Sequence, residues 1–533
     1  MEDKMAVKTH AHGGVRGADL PRRSMMFEGR FGRMFRALPA ADHSKEALVE
    51  LAGRMTAPSE ADVTPEDKAD DEENTGVTAG FTYLGQFIDH DLTFDPMSSL
   101  MKANDPEGLV DFRTPRFDLD SVYGRGPDDQ PYLYEDSSVS GGRLLKLGRP
   151  LSGNPTDKFS RDLARSTSVL GGRQRALIGD PRNDENVIVS QLQSTIIRFH
   201  NWVAVNNKDL DFQDVQKFVR WHYQWIILHD FLPAIIGQET VDAIFPHFKS
   251  GKSIFVDRPN LRFFKFKEDL FIPLEFSVAA YRFGHSMVRP QYRLNTKLPN
   301  TSSPPRKDNP LNGRIPIFSP DDGTGGLNGF RGDFPDAWAV DWSLFFNGIG
   351  PNTKANAIER VQPAYKIDTS LVNPLGMLPK SIAVDVRSLA ARNLLRGQSM
   401  GMPSGQDVAR AMGLIPILDK DLKVGKAIEA DQKTNMPITA SSKFGKEFED
   451  SAPLWFYVLA EAQAAFKDND TPIRLGPVGG RIVGETFAGI LLGDSHSYLS
   501  QDPVWTPEKK LGEKRFGIAD LIKAAMTYEH KVV

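Results

Sequence analysis

Gly85-Gln86-Phe87-Ile88-Asp89-His90-Asp91-Leu92 is the densest run of chemistry-bearing residues in the chain. Apolar spacing from Phe81 onward is mostly helical, which places the run on an α-helix. On that helix Gln86 and His90 are four apart and stack on one face, while Asp91 points about 100° away from His90. One turn can therefore serve two sites. The plain alternative is a structural histidine hydrogen-bonded between two aspartates.

Working outward, Val187, Leu192, Ile196, Ile197, Trp202 and Val203 recur at helical intervals, as do Val215, Phe218, Trp221, Trp225 and Ile226. Two long helices are predicted there. Leu270 to His285 and Asp385 to Leu395 read the same way, and Pro299 to Gly332, dense in Pro, Gly, Asn and Asp, reads as a long surface loop. Fixed-period repeats and clean βαβ alternation are both absent, which disfavours solenoids and doubly wound sheets. The expected fold is one large, mainly α domain over residues 79–533. Before it, residues 1–78 read as an N-terminal arm, whose Phe27, Phe31, Met34 and Phe35 pack on the body, and a solvated linker over residues 56–76, which holds the acids from Glu60 to Glu73.

Composition narrows the chemistry. The 533 residues carry 65 basic and 69 acidic side chains, a net charge of -4, without the basic excess usual in nucleic-acid binders. With no cysteine, disulfides, thiolate metal sites, iron-sulfur clusters and cysteine nucleophiles are excluded, so any metal must be held by His, carboxylate, hydroxyl or carbonyl groups. The N-terminus has no signal-peptide core, and the best apolar window, Trp225 to Ile236, is interrupted by His229, Asp230 and Pro233. A soluble protein is expected, cytoplasmic or exported without a classical signal peptide.

Four further segments carry candidate sites. In Thr114-Pro115-Arg116-Phe117-Asp118-Leu119-Asp120, oxygen-bearing groups alternate, so an extended loop can turn Thr114, the Arg116 carbonyl, Asp118 and Asp120 towards one hard cation such as calcium; a polar turn is the alternative. Asp180-Pro181-Arg182-Asn183-Asp184-Glu185 precedes a long helix, with Arg182 and Glu185 three apart; capping by Asp184 and Glu185 is the alternative. In Tyr281-Arg282-Phe283-Gly284-His285, a glycine beside the histidine allows close approach of a flat ring, against a helix-terminal His at a break. In Arg392-Asn393-Leu394-Leu395-Arg396, Asn393 and Arg396 occupy adjoining turns, against an ordinary polar helix face. A rival motif, Gly397-Gln398-Ser399-Met400-Gly401, matches the serine-hydrolase elbow at Ser399 but follows a helical pattern where that elbow needs a strand.

Taken together and in this order, the five segments resemble the animal-type haem peroxidases of the peroxidase-cyclooxygenase superfamily, the group that includes myeloperoxidase and lactoperoxidase. The resemblance runs from about Ala79 to Leu499, and the stretches Phe81 to Asp95, Asn393 to Ala411 and Leu475 to Leu499 look especially like its bacterial, peroxicin-type branch. It implies a mainly α domain with haem b between central helices. It further implies that His90 is the distal histidine, Gln86 the distal glutamine and Arg182 the distal arginine. His285 corresponds to the proximal iron ligand, Asn393 to the asparagine accepting its ring N–H, and Arg282 and Arg396 to residues near the haem propionates. Asp89 and Glu185 match the carboxylates that form ester links to haem. Asp91, Thr114, Arg116, Asp118 and Asp120 match the calcium site, Asp91 being the remote ligand that the loop lacked.

The activity implied is reduction of hydrogen peroxide through an oxoferryl intermediate, with oxidation of halides, thiocyanate or small organic donors. Asn186 directly follows Glu185 where the myeloperoxidase type has methionine, so no sulfonium link is expected and bromide, iodide or thiocyanate is favoured over chloride. The alternative within the superfamily is a fatty-acid dioxygenase, which needs a tyrosine three residues before the proximal His. That position is Arg282; Tyr281 is expected to face elsewhere. A serine hydrolase acting through Ser399 is the remote alternative.

Overall fold

The computed structural model describes residues 29–59, 70–93, 110–111, 113–136, 141–170, 173–266, 269–298, 313–320, 325–350, 360–441, 443–467 and 470–530. Phe27, Glu60 and most of the acidic run to Asp67 lie outside the described residues, as do 299–312 and 321–324 of the expected surface loop. The principal helices are α1 (Lys45–Arg54), α2 (Ala79–Leu92), α3 (Val187–Asn206), α4 (Phe212–Ile226), α5 (Leu389–Ser399), α6 (Leu454–Ala464), α7 (Pro477–Gly493) and α8 (Ile518–Met526). The fold is mainly α, as the sequence predicts.

α3 is the central rod. Nearly every residue from Val187 to Ala204 is buried, because α2, α4 and α8 pack around it, which explains an apolar content too broad for a surface helix. Asn186 caps it, its side chain accepting from the N–H groups of Ile188 and Val189; the cap is therefore Asn186, and Asp184 instead pairs with Arg165 at 2.8 Å. α2 starts where the strand Glu73–Thr78 ends, and that strand pairs antiparallel with Pro363–Tyr365. Strand and helix together fix the direction in which Gln86, Asp89 and His90 point.

Three expectations need correction. Leu270 to His285 is not one α-helix: after a short strand at Ile272–Pro273, the chain makes a π-helical turn at Glu275–Ala279 and a 3-10 helix at Ala280–His285. Proline at 273 blocks an earlier helical start, and Ala279 leaves helical geometry at φ -125°, ψ -77°. The described part of the Pro299 to Gly332 stretch is no mere surface loop, since Arg314–Pro316 pairs with Gln291–Arg293 and Leu327 and Asn328 are buried. Glu73 is not part of a solvated linker: it is buried and receives Arg289 at 2.7 Å as well as Arg360. The backbone before the linker is bound to the body too. Gly29–Gly32 pairs with Val110–Asp111 and Ile272–Pro273, and buried Glu275 accepts from the N–H groups of Met34 and Phe35.

Candidate active site

His90 lies near the end of α2, only 5 % exposed. Its Nδ1–H donates to Asn183 Oδ1 at 2.7 Å, since that oxygen can only accept. The amide is held in this orientation because Asn183 Nδ2 donates to Gln193 Oε1, and Gln193 Nε2 in turn donates to the Ser121 carbonyl. In the neutral imidazole this places the lone pair on Nε2, and that atom lies 4.0 Å from Glu185 Oε1. Burial, then the positive charge of Arg182, lowers the His90 pKa to about 3.

Around it, Gln86 donates to Glu185 and accepts from Asn186 Nδ2 at 3.2 Å, so its amide orientation is also fixed. Burial raises Glu185 to about 7, and raises Asp89, against the pull of Arg182 on both. Arg182 is held by Asp180, Nη2 to Oδ2 at 2.8 Å, and reaches the carbonyls of His90 and Thr93. Burial opposes ionisation of Asp180, yet Arg182 and Arg113 outweigh it and hold the carboxyl well below its usual range.

His285 ends the 3-10 helix. Its Nδ1 lies 2.8 Å from Asn393 Nδ2, and Arg282 Nη1 donates to Asn393 Oδ1 at 3.0 Å. An amide nitrogen cannot accept, so here Asn393 donates to His285. The expectation that Asn393 accepts the ring N–H is thus reversed in this structure, because Arg282 occupies the amide oxygen. Burial and then Arg282 lower His285 to about 3.

The two histidines border one cavity of about 440 Å³, lined also by Gln86, Asp89, Arg182, Glu185, Arg282 and Arg392. Arg396 is not among the lining residues; Arg392, one turn earlier on α5, takes the wall position. Arg282 is half-buried, and burial together with Arg396, Arg392 and Arg182 lowers it to about 10 despite Asp89. Such a cluster of guanidinium groups suits an anionic ligand. The volume falls in the range for cofactor pockets, and an imidazole on the wall offers an iron ligand. These residues fit a flat tetrapyrrole with anionic side chains.

Tyr281 also corrects an expectation. It borders the cavity, its hydroxyl donating to the Gly85 carbonyl at 3.2 Å and its ring stacked on Phe276 at 4.6 Å. Ser399 carries no nucleophile elbow: it ends α5, and its hydroxyl donates to the Arg396 carbonyl at 3.0 Å. Asn183, Gln193 and Asp180 had no assigned role in the sequence, although Asp180 and Asn183 lie inside the quoted Arg182 segment.

On the far side of α2, Asp91, Asp118 and Asp120 each offer an oxygen within 4.8 Å of the others. Thr114 Oγ1 donates to Asp118 Oδ2 at 2.6 Å, Ser121 Oγ lies 3.4 Å from Asp91, and the Arg116 side chain turns to Asp494 at 3.5 Å. Burial and mutual repulsion raise Asp91 well above its ordinary pKa, and burial raises Asp120 to about 7 although Arg113 sits 3.1 Å away. Crowded buried carboxylates with a hydroxyl are a hard-cation donor set.

A mainly helical chain thus brings two imidazoles, one buried and one half-buried, and a guanidinium-rich wall to one cavity, with an oxygen cluster behind it, an arrangement that fits the class of helical haem-pocket proteins. The model of the animal haem peroxidase family matches residues 99–531, and the chain belongs to that family. A peroxidasin homologue of Caenorhabditis elegans, pxn-1, is 23 % identical over 382 residues, 69 % of this chain and 25 % of the relative. The chain thus spans about a quarter of that protein's length. Among solved structures, Peroxidase A from Dictyostelium discoideum superposes with a TM-score of 0.57 at 16 % identity, covering 95 % of this chain and 94 % of that one. The fatty acid alpha-dioxygenase of Arabidopsis thaliana gives 0.51 at 14 % identity, over 92 % and 75 %. Both likenesses concern the fold.

Proposed function

We propose that the chain is a haem-dependent peroxidase of the bacterial, peroxicin-type branch, reducing hydrogen peroxide and oxidising bromide, iodide, thiocyanate or small organic donors. Residues 79–533 are read as the catalytic domain and residues before 79 as an arm and linker. The observation that carries the reading is His90, neutral and with its proton-free Nε2 beside a cavity that His285 also borders.

Haem b, when bound, supplies the iron that takes up peroxide and the electrons for splitting its O–O bond. The protein residues handle the protons and charge. His90 Nε2 would accept a proton from one oxygen of hydrogen peroxide and return it to the other, which would leave as water. Arg182, kept on the cavity wall by Asp180, offers positive charge to the oxygen that becomes negative. His285 would hold the iron through Nε2, which would require its proton on Nδ1. Asn393 must then turn its amide to accept that proton, releasing Arg282 to pair with a propionate. Arg392 and Arg396 add charge on the same side. Asp89 and Glu185 are the carboxyl groups for ester links to haem. Calcium held by Asp91, Thr114, the Arg116 carbonyl, Asp118 and Asp120 fixes the helix that carries His90.

The test is the absorption spectrum of haem-supplemented protein before and after one equivalent of hydrogen peroxide, with guaiacol and bromide as donors. A Soret band that shifts within milliseconds and returns on donor addition supports the reading; a Soret band inert to peroxide removes it. Acid-acetone extraction after peroxide treatment leaves haem in the protein layer if Asp89 and Glu185 form esters. Tyr281 at the cavity wall keeps a fatty-acid dioxygenase as the second reading, favoured if oxygen uptake with palmitate occurs and is lost in Tyr281→Phe.

A further inference from the structure

The basic charge of this acidic chain is locally concentrated in residues 249–266, which hold Lys249, Lys252, Arg258, Arg262 and Lys265 against one acid, Asp257. All five cations are exposed, and among the described residues none of them forms an ion pair. At the tip of the same stretch, Phe255 is 73 % and Val256 66 % exposed, adjacent apolar side chains turned to solvent. Other apolar side chains are exposed too, Tyr132, Val384, Ile415 and Val504 among them, but Phe255 is the most exposed aromatic residue among those described, and it lies within the cluster of cations.

The loop is built to hold the tip outward. Its leading end leaves the short helix Pro246–Ser250 through Gly251, at φ 67°, a conformation that favours glycine. Val256 and Asp257 donate back to the Ser253 carbonyl at 2.9 and 3.0 Å, closing a turn beneath Phe255. On the trailing side, Asn260 N–H donates to the Ile244 carbonyl at 2.7 Å, and Phe263 and Phe264 donate to buried Glu485 at 2.7 and 2.9 Å. Half-buried Ile254, Leu261 and Phe263 pack on the core, so the base is anchored while the tip is free.

We propose that residues 249–266 form a docking surface for an anionic lipid membrane, with Phe255 and Val256 entering the acyl boundary and the five cations meeting the headgroups. An anionic lipid surface offers both complements at once: negative charge for the cations and hydrocarbon for the tip. A nucleic acid or sulfated polysaccharide would satisfy only the cations and leave Val256, which has no face for stacking, in water. The docking requires no membrane-spanning segment, consistent with the absence, among the described residues, of any helix long and apolar enough to cross a bilayer.

The test uses the full chain in co-sedimentation with vesicles of phosphatidylcholine alone and of phosphatidylcholine with phosphatidylserine. Binding to the phosphatidylserine vesicles that falls with added salt is expected. Lys252→Ala and Arg258→Ala should each lower the partition about fivefold. Phe255→Ser combined with Val256→Ser should lower it at least about tenfold. Lys509→Ala with Lys514→Ala, on another part of the surface, should leave it unchanged, and circular dichroism confirms that each variant is folded. Equal binding to both vesicle types, no binding to either, or loop variants that bind like the parent would overturn the proposal. Retention on heparin without vesicle binding would overturn it too, assigning the cations to a soluble polyanion.

Discussion

His90 stands at the end of a chain of amides that leaves it one tautomer, whereas His285 faces an amide that Arg282 has turned the other way. On the first side the protein alone sets the tautomer: Gln193 lies on α3, and Ser121 and Asn183 lie on short helices packed against it. On the second side His285 and Arg282 meet at the two ends of one amide, Asn393, so the hydrogen bond at His285 follows from which end Arg282 takes. The contrast teaches that a chain of buried amides fixes one imidazole, whereas the other depends on a single amide shared with a guanidinium.

The strongest way to break this contrast is His285→Ala, which should remove stable haem binding, with no Soret band surviving gel filtration; a retained band would place the iron ligand elsewhere. Next, Arg182→Ala should keep the Soret band and slow the reaction with peroxide by about 100- to 1000-fold, the range for losing one charge-stabilising donor. Unchanged kinetics would mean that Arg182 serves Asp180 only. A sharper division comes from two amides. Asn393→Leu should weaken haem binding about 10- to 100-fold. Asn183→Leu should leave haem affinity intact and slow peroxide cleavage, by an amount matching about 1–3 kcal/mol for an unpartnered buried donor. If both variants change the same quantity, the two walls are not independent. Calcium removal should act on stability and not on the two walls. At a hundredfold excess over Kd, bound calcium contributes about 2.7 kcal/mol, so chelation should lower the melting temperature, and an unaltered melting curve after demonstrated calcium loss would count against the site.

Much of this was legible in the sequence because the decisive groups are short-range. Gln86, Asp89, His90 and Asp91 share one helix, and a helix fixes their relative directions without any tertiary information. Helices α3 and α4 announced themselves through sustained apolar spacing. What could not be read depends on partners from distant chain segments or on irregular backbone. Glu73 looked solvated because its neighbours are acidic; the arginines that bury it arrive 216 and 287 residues later. Tyr281 was misplaced because a regular helix was assumed, whereas the π turn and 3-10 helix set its direction. Asn183 gave no signal because an asparagine before a helix is ordinarily a cap, and only the fold brings His90 to it. The direction of the Asn393 hydrogen bond depended on where Arg282 would lie, which no spacing rule supplies.

The central claim is that His90 moves the proton while His285 holds the iron, and stopped-flow absorption of the haem-loaded parent and His90→Ala tests it most directly. The account predicts that both show the same resting Soret band, and that the shift after one equivalent of peroxide is about 100- to 10,000-fold slower in the variant. A variant that reacts as fast as the parent would contradict it.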